Sequence, residues 1–150
     1  MMTNSITDTY EELESKYLVL AKEYLEITED TMEEALQRHT AVYAFFSAVL
    51  AHAKKIQNIA ELSYEYAEAE VREERRKQLA EEGGKTTEGA LNTYVKTVPE
   101  LRELQSKCSE AQHKYNLAKN IVSSLDHQKD MLVQMSANKR AEIKMVSDLG

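Results

Sequence analysis

The sequence predicts an all-α protein: a long antiparallel helical hairpin of coiled-coil character, with an additional helix at its N-terminal end. Three observations predict it. Chain breakers are scarce, with one proline and four glycines in 150 residues. Apolar residues recur at three- and four-residue steps over long stretches, the signature of one helical face. The only Gly-Gly pair, Gly83-Gly84, falls between two such stretches. Two phenylalanines and no tryptophan supply too little bulk for a compact β or α/β core.

The first helix is expected over residues 8–30. Thr9 and Glu12 form a capping-box pair that satisfies exposed backbone N–H groups at a helix start. Tyr10, Leu13, Tyr17, Leu20, Tyr24 and Ile27 then follow at steps of 3, 4, 3, 4 and 3, a heptad seam suited to a partner helix. Thr31 and Glu34 repeat the capping pattern and open a long helix over 32–82. Its expected stripe is Met32, Ala35, His39, Val42, Phe46, Val49, Ala53, Ile56, Ile59, Ser63 and Tyr66. Such a helix is roughly 75 Å long at about 1.5 Å per residue.

Residues 83–86 form the Gly-Gly loop, and a short helix is expected over 87–97, opened by Thr86, Thr87 and Glu88. Thr97-Val98-Pro99-Glu100 is a further cap with proline in the first turn, where its missing N–H does no harm. The last long helix, 98–146, carries Leu101, Leu104, Cys108, Ala111, Tyr115, Ala118, Val122, Leu125 and Leu132, with Lys129 interrupting the stripe. Length and element pattern together imply a single elongated helical domain spanning 1–150. Phe45 beside Phe46 and Ile121 beside Val122 cannot all face one neighbour on two narrow stripes, which implies a homo-oligomer that buries the surplus apolar surface.

Composition narrows the function. The longest apolar run, Ala41 to Ala53, has 13 residues and is broken by Ser47 and His52, too short for a membrane span. The N-terminal MMTNSITDTYEE lacks the basic and apolar regions of a signal peptide, and lone Cys108 offers no disulfide framework, so a reducing, cytoplasmic setting is expected. No enzyme activity, metal or cofactor is expected. Glu110-Ala111-Gln112-His113 is a single Glu-x-x-His, whereas a di-iron bundle needs two with further glutamates. His39 and His52 fit helix faces, His127 sits beside Asp126, and neither a phosphate loop nor a nucleophile elbow is present.

Charge is unevenly distributed. Residues 1–34 hold ten acidic side chains against Lys16 and Lys22, a balance of -8 within a total of -7, so the remainder sums to +1. Within that near-neutral body Arg72, Arg75, Arg76 and Lys77 crowd into about one and a half turns just before the glycine loop. Interleaved glutamates allow a salt-bridged helix end. A second reading is functional: with Lys85, Lys96 and Arg102 the bend would collect seven cations, and oligomerisation would multiply them into a surface that follows a phosphate backbone. Lys139, Arg140 and Lys144 form a secondary basic site near the end of the last helix, where cations also complement the helix dipole.

The segment KTTEGALNTYVKTVPELRELQ, followed by a long helix ending LDHQKDMLVQMSANKRAE, resembles the UvsY-type recombination mediators of tailed phages; the resemblance lies mainly in residues 60–145. It implies a ring-forming homo-oligomer in the host cytoplasm that binds single-stranded DNA. Such a protein helps load a RecA-type recombinase onto strands coated by single-strand-binding protein. By position, the family's DNA-contacting helix end falls on Arg72, Arg75, Arg76 and Lys77. The sequence departs from the family in a shorter loop and in the glutamates among those arginines. A coiled-coil scaffold, adaptor or phage structural protein with protein partners alone is the alternative.

Overall fold

The computed structural model describes residues 32–150. The helix expected over 8–30, its acidic run and the Thr31 cap lie outside the described residues. The described chain is all-α: α1, Met32–Glu81; α2, Glu88–Val95; and α3, Pro99–Asp148. Two compact units are formed, one of His52–Tyr115 and the other of the segment ending at Ala51 together with Asn116–Gly150. In each, segments of α1 and α3 pack antiparallel.

In the unit built around Asn116–Gly150, Phe46, Ile121 and Leu125 form a buried cluster, with Val42, Tyr43, Phe45, Leu117 and Val122 packed against it. Phe45 meets Phe46 edge-on, ring centroids 5.3 Å apart, the arrangement that aromatic quadrupoles favour. Phe45, Phe46, Ile121 and Val122 therefore share one intrachain cluster, contrary to the expectation that adjacent apolar residues must divide between neighbours. Ala35 and Leu132 form a second buried pair, with Met135 against it. His39 donates from Nε2 to the Leu125 carbonyl at 2.8 Å, which fixes its tautomer and gives it a structural role.

In the His52–Tyr115 unit the seam departs from the expected stripe. Ile59, Ser63 and Tyr66 are exposed, while Gln57 is buried and Tyr64 and Val71 are half-buried. The reason lies in two successive four-residue steps, Val49 to Ala53 to Gln57, which rotate the packed face by one position. Gln57 tolerates burial because its amide donates to Glu61 and to Gln112 across the seam. On α3 the buried polar residue is likewise Gln128, and Lys129 is exposed.

The bend between α1 and α2 is a Schellman motif. Gly84 N–H donates to the Leu79 carbonyl and Gly83 N–H to that of Ala80, at 2.9 and 3.1 Å, with Gly83 at φ 76. A side chain at Gly83 meets no atom within 4 Å, so the constraint is backbone conformation alone. Gly83→Ala should therefore cost about 1 kcal/mol, read as a small drop in urea midpoint with unchanged helicity.

Thr87 caps α2 by accepting from Ala90 N–H at 3.2 Å. Thr97 was expected to cap α3, but its hydroxyl instead donates to the Tyr94 carbonyl at 2.6 Å and so closes α2. α3 starts at Pro99, whose fixed φ suits a first helical position. Only Leu91 and Val95 of α2 are buried.

Candidate nucleic-acid interface

The cations expected at the bend all lie in the His52–Tyr115 unit, and most are tied to neighbouring groups. Arg72 donates from Nε to Glu68, one turn before it, at 2.8 Å and from Nη2 to Asn92 Oδ1 of α2 at 2.7 Å. Arg76 Nη2 donates to Glu88 Oε1 at 3.0 Å. Arg75 lays its guanidinium 4.6 Å from the ring centroid of Tyr94, a cation–π contact. Lys77 stands 3.9 Å from Glu73. Exposed pairs of this kind contribute about 0.2–1 kcal/mol each, but the Arg72 and Glu68 side chains are only 21% and 25% exposed, so water screens that pair less.

Arg72, Arg75 and Arg76 thus engage three side chains of α2: Asn92, Tyr94 and Glu88. Their first effect is to fasten a helix of 8 residues too short to persist by itself. Over residues 68–88, five cations face seven glutamates, a local balance of -2. Glu88, Asn92 and Tyr94 were not foreseen as partners; Glu68 and Glu73, at four-residue spacing from Arg72 and Lys77, were visible in the sequence.

Lys85 and Lys96 are exposed, and Arg102 Nε donates to the Lys96 carbonyl at 3.0 Å. Arg72, Lys96 and Arg102 line one shallow groove with Tyr64, Glu68 and Gln105. Its acidic member matters: burial and the Glu68 carboxylate, which accepts from the phenol, raise the Tyr64 pKa, only partly offset by Arg72. Burial, with Glu61 nearby, also pushes the Cys108 thiol up, so it behaves as a small apolar residue.

Lys139, Arg140 and Lys144 lie in the other unit. Residues 137–150 are exposed throughout, and among the described residues no ion pair engages these three cations. Arg140 Nε donates to the Ser136 carbonyl at 3.3 Å, within its own helix. Between 137 and 147 the single acidic residue is Glu142. Among the described residues no group of three or more His, Cys, Asp or Glu side chains is placed to hold a metal, and Glu110 pairs with Lys114 at 3.2 Å. Among them too, no helix is long and apolar enough to cross a membrane.

No family model, curated protein or solved structure matches the chain.

Proposed function

We propose that the chain is a non-enzymatic, homo-oligomeric binding protein for single-stranded DNA that acts as a recombination mediator, assisting a RecA-type recombinase in the presence of single-strand-binding protein. One observation carries the DNA-contact assignment: Lys139, Arg140 and Lys144 stand exposed on the last turns of α3, outside any ion pair among the described residues. A flexible polyanion is bound by cations that can exchange counterions for phosphates, and cations already committed to carboxylates do so at a penalty. In this reading Arg72, Arg75 and Arg76 fasten α2, and Lys85, Lys96 and Arg102 are auxiliary contacts. The resemblance over residues 60–145 supports the recombinase assignment.

Fluorescence anisotropy of labelled oligo-dT across a salt series tests it. The triple variant K139A/R140A/K144A should bind at least tenfold more weakly at low salt. Its slope of log affinity against log salt should shrink by about two, given about 0.7 per phosphate contact on a single strand. An unchanged slope assigns the contacts elsewhere.

The engagement of the bend arginines favours a second reading, in which the helices serve protein contacts alone, as in a scaffold, adaptor or phage structural component. Wild-type indifference to oligo-dT in dilute buffer would select it.

A further inference from the structure

On the side of α1 facing away from its intrachain seam, the His52–Tyr115 unit carries a second stripe. Lys55, Ile59, Leu62, Tyr66, Ala69 and Glu73 follow at steps of 4, 3, 4, 3 and 4, the repeat of a coiled-coil seam. At 3.6 residues per turn the six project within about 80° of one another and roughly opposite Gln57, Tyr64 and Val71. All six are exposed; Ile59, Leu62 and Tyr66 retain 49%, 50% and 71% of their surface. The sequence thus sets four apolar residues at heptad spacing, Ile59, Leu62, Tyr66 and Ala69, on a face that the described residues leave exposed.

We infer that this stripe is a homodimer interface, in which α1 packs antiparallel on α1 of a second copy about a two-fold axis beside residue 64. The charge pattern selects both occupant and direction. With the axis there, Leu62 opposes Tyr66, Ile59 opposes Ala69, a large side chain against a small one, and Lys55 opposes Glu73. Two-fold symmetry makes each pairing occur twice, so the apolar centre is flanked on both sides by opposite charges. A parallel pair would set Lys55 against Lys55 and Glu73 against Glu73, which repel. Glu73 lies 4.0 Å from Arg76 and 3.9 Å from Lys77, long and exposed contacts that leave its carboxylate able to reach across. This inference deepens the homo-oligomeric part of the proposed function, and the nucleic-acid reading plays no part in it.

Sedimentation equilibrium of the full chain without DNA, over a micromolar concentration series, tests it. Wild type should dimerise. Lys55→Glu and Glu73→Lys should each weaken the dimer about tenfold, because each installs two like-charge contacts, and K55E/E73K together should restore it. Leu62→Asp should abolish dimerisation, with circular dichroism at 222 nm reporting whether the helices persist. A monomeric wild type overturns the inference, as does self-association that survives both Leu62→Asp and the single charge swaps, or charge swaps that fail to compensate. Because oligo-dT is absent, none of these outcomes bears on DNA binding, and loss of oligo-dT affinity in K139A/R140A/K144A leaves the dimer result intact.

Discussion

Phe46→Ala should lower unfolding free energy by about 3–5 kcal/mol, the largest loss expected from any single truncation in the described chain. Phe46 is 2% exposed and sits where α1 and α3 contribute most to one cluster: Ile121 and Leu125 beneath it, with Val42, Tyr43, Leu117 and Val122 around. Removing the ring forfeits its transfer free energy and the edge-on contact with Phe45, and it opens a void. Helices held at both ends by continuous α-structure cannot collapse into that void, so little is recovered by relaxation. Since a typical domain is stable by only about 5–15 kcal/mol, the variant should approach the threshold of folding. Urea denaturation followed at 222 nm checks it, with Phe45→Ala as the milder control because Phe45 is only partly buried. A loss below about 1 kcal/mol would mean that this cluster is not where the unit is held together.

Leu91→Ala should cost about 2–4 kcal/mol and, more distinctively, should release α2 while α1 and α3 stay helical. α2 has 8 residues and two buried side chains, Leu91 at 1% and Val95 at 6% exposure. An isolated helix of that length does not form in water, because nucleation costs more than its few hydrogen bonds return. Its persistence therefore depends on the Leu91 anchor, the Thr87 cap and the three arginine contacts from α1. Hydrogen exchange resolved by peptide should show residues 88–95 losing protection. Retained protection there would mean that the arginine contacts and cap suffice without the anchor. Cutting the arginines instead, as R75A/R76A, should loosen the same peptide more weakly, since the Arg75–Tyr94 cation–π contact and the half-exposed Arg76–Glu88 ion pair contribute less than a buried leucine.

Much of the fold was legible because the helical period and the breakers agree. Gly83-Gly84 and Pro99 place the turns, Thr87 the cap, and Ala35 to Ala53 the packed face. Beyond Ala53 the reading slid by one position. Ile56, Ile59 and Tyr66 are apolar and well spaced, so they attract the assignment, whereas the packed positions include Gln57 and the amphipathic Tyr64. Hydrophobicity alone cannot show which of two stripes a chain covers with its own helix. The basic cluster was legible as a cluster but not in its attachments. Glu68 and Glu73 lie at helical spacing from their partners, whereas Glu88, Asn92 and Tyr94 come from across a loop, where no periodicity links them to Arg72, Arg75 and Arg76.

Gln57, reaching Gln112 from inside an otherwise greasy seam, has a consequence for how the two long helices align. Heptad-like surfaces made of alanine, leucine and isoleucine are nearly interchangeable under a one-turn slip, and several slipped arrangements would compete in stability. A one-turn slip parts Gln57 from Gln112 and, in one direction, sets it level with Cys108, a weak acceptor; a buried donor left unmet costs about 1–3 kcal/mol. The Gln57–Gln112 pair thereby discourages that misalignment, in the way a polar residue fixes the phase of a coiled coil.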